Sequence, residues 1–270
     1  MIPYILIRGG GDLASGVALR LQHVGLHVLV VEIAQPLAVR RSVAFAQAVF
    51  DGQTEIEGVI GVLIRASNEA QGVWARGAIP VLVDPDLDIL KDYPPLVLVD
   101  ARMRKKHIDQ DLSLAKLVIG LGPGFLAGDN CHAAIETNRG HFMGRVYWEG
   151  EPEANTGIPG EVQFYTEERV LRAPARGKLE THVDIGDPVQ MGESILTVAG
   201  QDVTAPFDGV VRGLIHAGIE VKKGLKVGDV DPRPETLRCW TVSEKSLAIG
   251  GGVLEAILSR ENIRSHIWNT

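Results

Sequence analysis

The chain has 270 residues, of which 45% are hydrophobic and 23% charged, and its formal net charge is −7. This composition is typical of a globular protein with a sizeable core, and the negative charge argues against nucleic acid as a partner, because phosphates bind basic surfaces. The two cysteines, Cys131 and Cys239, form no disulfide framework and indicate a reducing compartment. Since the N-terminus lacks a signal-peptide pattern and no apolar run reaches the ~20 residues of a membrane helix, we expect a cytoplasmic protein without a membrane partner.

The first half of the chain alternates apolar runs with helical patterns. Apolar residues at helical spacing predict a helix that Gly25 ends, and a second helix is predicted over 68–77. The pattern predicts a Rossmann-like, doubly wound parallel sheet over residues 1–149, an α/β architecture that binds nucleotides. The predicted strands lie at 4–8, 27–32, 80–84, 96–100 and 116–121.

A glycine loop joins the first predicted strand to the first predicted helix. Its pattern, Gly9-x-Gly11-x-x-Ala14, resembles a dinucleotide-binding fingerprint, in which the second glycine lets a pyrophosphate approach the backbone. Free N–H groups at the start of a helix favour an anion, and an acidic residue that ends the second strand can bind a ribose. The predicted ligand contacts of this region are Gly9, Gly10, Gly11, Asp12, Leu13, Ala14, Glu32 and Arg40.

A second glycine loop, at 120–125, follows the last strand of this half. Gly122 and Gly124 are predicted to line the same crevice, because ligands of open α/β sheets bind at the carboxyl ends of the strands. Cys131, next to His132, is the one candidate nucleophile, but neighbouring residues on a helix point about 100° apart, which favours a buried structural cysteine. The spacing of His107, His132 and His141 matches no metal-ligand motif, so we predict no metal site.

The character of the sequence changes near residue 150. Residues 150–169 predict a linker or ordered loop, and short strands over 170–232 predict a small all-β lipoyl-like (barrel-sandwich hybrid) domain with an internal 32-residue repeat. The hairpin at 196–203 contains no lysine, which excludes a biotin or lipoyl carrier. Residues 233–270 predict a C-terminal helical segment that packs on the N-terminal domain. The three glycines at 250–252 imply either close approach by another backbone or ligand, or a helix broken by a loop.

Several stretches along nearly the whole chain are more specific than the glycine loop alone, among them IRGGGDLASGVALRL, GLGPGF, AIETNRGH, NTGIPG and AIGGGVLEAIL. Together they resemble the YqeB-like accessory proteins of the selenium-dependent molybdenum hydroxylase system. The resemblance implies a role in maturation or handling of a molybdopterin-type cofactor, with a molybdenum hydroxylase or cofactor-maturation proteins as partners.

Two other functions are compatible with the sequence. The first is an NAD(P)-dependent oxidoreductase of a small substrate, against which the absence of a Tyr-x-x-x-Lys pair argues. The second is a non-catalytic docking scaffold. Because the sequence does not decide between these functions, it leaves open whether the protein is an enzyme, and it also leaves open whether the protein forms a homo-oligomer.

Overall fold

The computed structural model describes residues 2–104, 109, 111–154 and 162–268. His107 and the NTGIPG stretch therefore lie outside the described residues, as does the central part of the predicted linker. The chain divides into two compact units. The first contains Met1–Pro36, Ala44–Thr156 and Val242–Thr270, and the second contains Leu37–Val43 and Gly157–Thr241.

The first unit is built on one large sheet, which in the described part of the chain has nine strands in the order β3-β4-β5-β2-β1-β6-β7-β8-β9. Its central strands are near-continuous apolar runs because both faces of the sheet are covered. The strands are β1 (Ile5–Arg8), β2 (Val28–Glu32), β3 (Gln53–Ile56), β4 (Val59–Ile64), β5 (Ile79–Val83), β6 (Val97–Asp100), β7 (Leu117–Leu121), β8 (Ala133–Ile135) and β9 (Val146–Tyr147).

The predicted Rossmann-like doubly wound parallel sheet is wrong. The seven inner strands of the sheet, from β4 across to β8 in the order given above, are parallel. At the edges, β3 pairs antiparallel with β4 and β9 pairs antiparallel with β8, so the sheet is mixed. The helix predicted over 68–77 is reduced to a 3-10 turn and a five-residue helix, which is too short to cover a face of the sheet as a doubly wound fold requires. The helices of this unit are α1 (Asp12–His23), α2 (Ala48–Asp51), α3 (Ala70–Trp74), α4 (Ile89–Asp92), α6 (Glu244–Ser259) and α7 (Glu261–Trp268).

Helices α1 and α6 pack against each other through glycines. A Cβ atom on Gly16 would lie 2.4 Å from Ser246 Cβ, and one on Gly250 would lie 2.8 Å from the Gly16 carbonyl oxygen. Helix α6 runs without a break through all three of its glycines. The expectation of close backbone approach is thus confirmed, and the alternative of a helix broken by a loop is wrong.

The second unit contains two four-stranded antiparallel sheets, with strand orders β10-β17-β15-β12 and β14-β13-β11-β16. The predicted lipoyl-like domain is corrected to a unit of two antiparallel sheets that also includes Leu37–Val43 from the first half of the chain, and the predicted C-terminal helix is corrected to two helices, α6 and α7. The elements of this unit are β10 (Val170–Arg172), β11 (Gly177–Thr181), β12 (Pro188–Val189), β13 (Ser194–Val198), β14 (Gln201–Thr204), β15 (Gly209–Leu214), β16 (Glu220–Val221), β17 (Lys226–Asp231) and α5 (Leu237–Trp240).

The strands of the second unit recur along the chain. Strands β11, β12 and β13 begin at residues 177, 188 and 194, and β15, β16 and β17 begin at 209, 220 and 226, a constant offset of 32 residues. Each three-strand set therefore has the same spacing of strands and turns. Within the part of the chain that the structure describes, no helix has the length and apolarity needed to cross a membrane.

Candidate functional site

The first glycine loop lies at the carboxyl ends of β1 and β6, which are neighbouring parallel strands with Arg8 opposite Asp100. Gly9 has a φ of +95°, a backbone conformation that residues with a Cβ atom disfavour. Its N–H donates to the Val31 carbonyl over 2.8 Å. A Cβ atom on Gly9 would lie 3.3 Å from the Arg102 backbone. The loop after β1 therefore contacts the segment that follows β6.

The two following glycines differ in what surrounds them. The Gly10 carbonyl accepts a hydrogen bond from the Ala46 N–H over 2.9 Å, and a Cβ atom on Gly10 would lie 2.8 Å from that nitrogen. Gly11, in contrast, precedes α1 with no side-chain cap, and a Cβ atom there would meet nothing within 4 Å. Asp12 and Leu13 are half-buried, whereas Ala14 is buried. Open space for a ligand thus lies at Gly11, at the start of α1.

Glu32, the predicted ribose acceptor, is bonded to the loop itself. One carboxylate oxygen accepts from the Gly10 N–H and the other accepts from the Ile33 N–H, each over 2.8 Å. The carboxylate therefore holds the glycine loop in place, and a ribose would have to share these oxygens.

A cluster of charged side chains surrounds the carboxyl ends of β1 and β6. Arg8 is 7% exposed. Its Nη atoms donate to the backbone carbonyls of Pro85 and Asp109 and to the Asp109 carboxylate. Among the described residues, nothing accepts a hydrogen bond from Arg8 Nε. Burial, followed by the charge of Arg102, lowers the pKa of the Arg8 guanidinium. A buried cation with an unsatisfied donor is costly, which makes this edge attractive to an anion.

Arg102 and Asp100 form the centre of this cluster. The buried Asp100 carboxylate accepts from Arg102 Nη2 over 2.6 Å and from Arg102 Nε over 3.1 Å. Arg102 Nη2 also donates to Asp109 over 2.6 Å. Hydrogen bonding from Arg102 is the largest cause of the low pKa of Asp109, about 2. From the sequence, Asp100 and Arg102 end a strand next to the first and are expected to face the same crevice, whereas Arg104 and Asp109 carry no signal beyond the run of basic residues that follows β6.

The second glycine loop is filled by its own phenylalanine. Phe125 has no exposed surface, and a Cβ atom on Gly120 would lie 2.0 Å from the Phe125 ring. A Cβ atom on Gly122 would lie 2.5 Å from Thr137 Oγ1, and the Gly124 carbonyl accepts from Asn130 Nδ2 over 3.1 Å. The glycines at 120 and 122 therefore allow close packing inside the first unit.

The remaining candidate residues have structural contacts. The Arg40 guanidinium, in the second unit, donates to the carbonyls of Arg238 and Thr241. His132 Nδ1 accepts from the Val118 N–H over 2.9 Å. Within the described part of the chain, no three histidine, cysteine, aspartate or glutamate side chains come together as a metal site.

Cys131 is fully buried, and burial raises the pKa of its thiol to about 12. Burial also raises the pKa of the Cys239 thiol. A thiol in this state carries almost no thiolate near neutral pH and makes a poor nucleophile. We expect neither cysteine of the native protein to react with a disulfide-exchange reagent at about pH 8, whereas both should react in denaturant. Stoichiometric labelling of Cys131 in the native protein, located by peptide mass spectrometry, would contradict this.

A cavity of about 440 Å³ lies elsewhere in the first unit, at the amino ends of β1, β2 and β6. Tyr4, His27, Leu96 and Ile267 contribute to its largely apolar lining. Its position at the opposite edge of the sheet separates it from the glycine loop. The candidate site is therefore an open surface at the start of α1 rather than this cavity.

No protein-family model matches the chain. The chain is similar to the uncharacterized protein YqeB of Escherichia coli (strain K12), with 48% identity over 254 residues, which is 94% of this chain and 47% of YqeB. It therefore spans about half the length of that relative. The similarity covers most of the chain and carries no information on selenium or on molybdenum hydroxylases.

Two solved structures have a distant likeness to the chain. An aspartoacylase family protein from Mesorhizobium loti is 11% identical, with 87% of each chain covered and a TM-score of 0.27. A succinylglutamate desuccinylase/aspartoacylase from Rhodobacter sphaeroides is 16% identical, with 86% of each chain covered and a TM-score of 0.28. Likeness at these TM-scores carries no argument about activity, and the corrected fold class rests on the mixed and antiparallel sheets described above.

Proposed function

We propose that the protein binds the phosphoryl part of a small phosphorylated ligand at the start of α1, and that it serves as an accessory protein in handling the cofactor of a molybdenum hydroxylase. One observation carries the binding proposal: the nine-tenths buried Arg8, whose Nε has no acceptor among the described residues, directly precedes the glycine loop. The N-terminus of α1 and the arginine both favour an anion.

The surroundings of the loop support this proposal. Gly11 leaves open space at the helix start, while Glu32 and Ala46 hold Gly10 in place. A preformed loop loses little conformational entropy when an anion binds, because its backbone is already ordered.

The cofactor-handling role rests on the resemblance in sequence. A molybdopterin-type cofactor carries a phosphate or a dinucleotide tail, which suits a site for a phosphoryl group. The partner would then be a molybdenum hydroxylase or a cofactor-maturation protein. The resemblance is the sole basis for a connection with selenium.

Replacing Gly11 by valine is expected to abolish binding without unfolding the protein. Gly11 has a φ of −67°, which valine adopts, and the new side chain would fill the open space over the helix N–H groups. The measurement is isothermal titration of the whole chain with inorganic pyrophosphate, NADH and NADPH at constant ionic strength. Where the wild type binds, its stability should rise by about 2.7 kcal/mol at a free ligand concentration 100 times the dissociation constant.

Gly72→Val is the matched control, because Gly72 is an exposed position of α3 and also has nothing within 4 Å of an added Cβ. It should bind as the wild type does. Equal binding by Gly11→Val and the wild type, or no binding of any of the three probes by the wild type, would overturn the site. Tight binding of NADH or NADPH but not pyrophosphate would favour the oxidoreductase instead.

The handling role needs a separate test. We expect native mass spectrometry of the protein, purified from a host that makes molybdenum cofactor, to detect a retained phosphorylated pterin that Gly11→Val lacks. A wild-type protein that carries no pterin and does not copurify with a molybdenum hydroxylase would contradict this role.

A further inference from the structure

We propose that Arg8, Arg102 and Arg104 form a binding site for the phosphoryl oxygens of the ligand, and that the Asp109 carboxylate occupies this site in the free protein until the ligand replaces it. We call the three residues the arginine triad. This inference rests on the proposed function, because it concerns the same edge of the sheet.

The triad converges on one carboxylate. Asp109 Oδ1 accepts from Arg102 Nη2 over 2.6 Å and from Arg104 Nη1 over 3.2 Å. Asp109 Oδ2 lies 3.4 Å from Arg102 Nη1 and 3.5 Å from Arg8 Nη2. Arginines bind phosphate and carboxylate ligands in the same way, with several guanidinium N–H groups directed at the ligand oxygens.

The two aspartates of the cluster differ in exposure, and this difference separates their roles. The Asp100 side chain is 1% exposed and holds Arg102 through both Nε and Nη2, so it is part of the framework. The Asp109 side chain is 53% exposed, and among the described residues its carboxylate is held by the three arginines. An exposed carboxylate is the one that a competing anion can replace, because water can take over its solvation.

A phosphoryl group would satisfy the triad better than Asp109 does. Among the described residues of the cluster, three guanidinium groups face two carboxylates, which leaves an excess positive charge. A phosphoryl group brings more oxygens and more charge than a carboxylate. It could also accept from Arg8 Nε, which has no acceptor among the described residues. A Cβ atom on Gly9 would lie 3.3 Å from the Arg102 backbone, so the glycine loop before α1 lies next to the triad.

The test compares Asp109→Asn with Asp111→Asn by isothermal titration with inorganic pyrophosphate at constant ionic strength. Asp109→Asn removes the internal anion and should tighten binding by about fivefold or more, the scale of an exposed charge pair. Asp111 lies two residues along the chain, and its side chain accepts from the Ser113 N–H rather than from an arginine. Asp111→Asn should therefore bind pyrophosphate as the wild type does.

Arg104→Gln provides the opposite change, because Arg104 is partly exposed and its loss should leave the fold intact. It should weaken pyrophosphate binding by about fivefold, with an unchanged melting temperature. If the wild type binds pyrophosphate and Gly11→Val does not, while Asp109→Asn and Arg104→Gln both match the wild type, the triad is refuted and the proposed function stands. If the wild type fails to bind, both proposals fall.

Discussion

Replacing Phe125 by alanine is expected to lower the free energy of unfolding by about 3–5 kcal/mol. The Phe125 ring has no exposed surface and packs in the core cluster that also contains Cys131 and Val118. Truncation leaves a cavity that Gly120, which lacks a side chain, cannot fill. Denaturant unfolding followed by the fluorescence of Trp74, in the same cluster, measures the change.

Two further variants separate packing from other causes. Gly120→Ala alone should also destabilise, because its Cβ would lie 2.0 Å from the ring. Combining Gly120→Ala with Phe125→Leu should restore part of that loss, since the smaller side chain makes room for the methyl group. A cost below about 1 kcal/mol for Phe125→Ala, or additive losses in the double variant, would contradict this account of the second glycine loop.

The sequence predicts the central strands of the large sheet well and its edges poorly. Strands β1, β2, β6 and β7 are near-continuous apolar runs, which parallel strands covered on both faces produce. Strand β3 is half exposed and polar, and the turn to β4 uses Glu57 and Gly58, both with positive φ. Glutamate is rarely found in such a turn, so the sequence carries no recognisable hairpin signal there. The antiparallel edges, and with them the mixed topology, could not be predicted.

The candidate site also has a part that the sequence predicts and a part that it does not. The glycine loop was predictable because a strand, a tight turn and a helix follow one another within a short segment. The contact between Gly9 and Arg102 joins residues far apart in the chain, and nothing local marks Asp109 as the acceptor of three arginines. The packing of Phe125 into the GLGPGF stretch was not predictable either, because a glycine loop that is filled by its own phenylalanine has the same composition as one that binds a ligand.

Replacing Gly252 by alanine is expected to destabilise the protein by about 2–3 kcal/mol, although alanine is the better helix former. The new Cβ atom would lie 2.2 Å from the Gly144 carbonyl oxygen, and a backbone atom cannot move aside as a flexible side chain can. Gly16→Ala should have a comparable effect, because its Cβ atom would lie 2.4 Å from Ser246 Cβ and 2.8 Å from the Ser246 carbonyl oxygen. Denaturant unfolding monitored by circular dichroism measures both changes.

Gly251 supplies the matched control within the same helix. It is exposed, and an added Cβ atom would meet nothing within 4 Å, so Gly251→Ala should raise stability by up to about 1 kcal/mol through helix propensity alone. A loss of stability in Gly252→Ala and a gain in Gly251→Ala would show that neighbouring glycines of α6 have different roles. Gly252 would be required for the close approach of the two backbones, and Gly251 would not. Stabilisation by Gly252→Ala would mean that α6 lies farther from Gly144 than the structure has it, and the glycine-mediated packing of the helix would have to be abandoned.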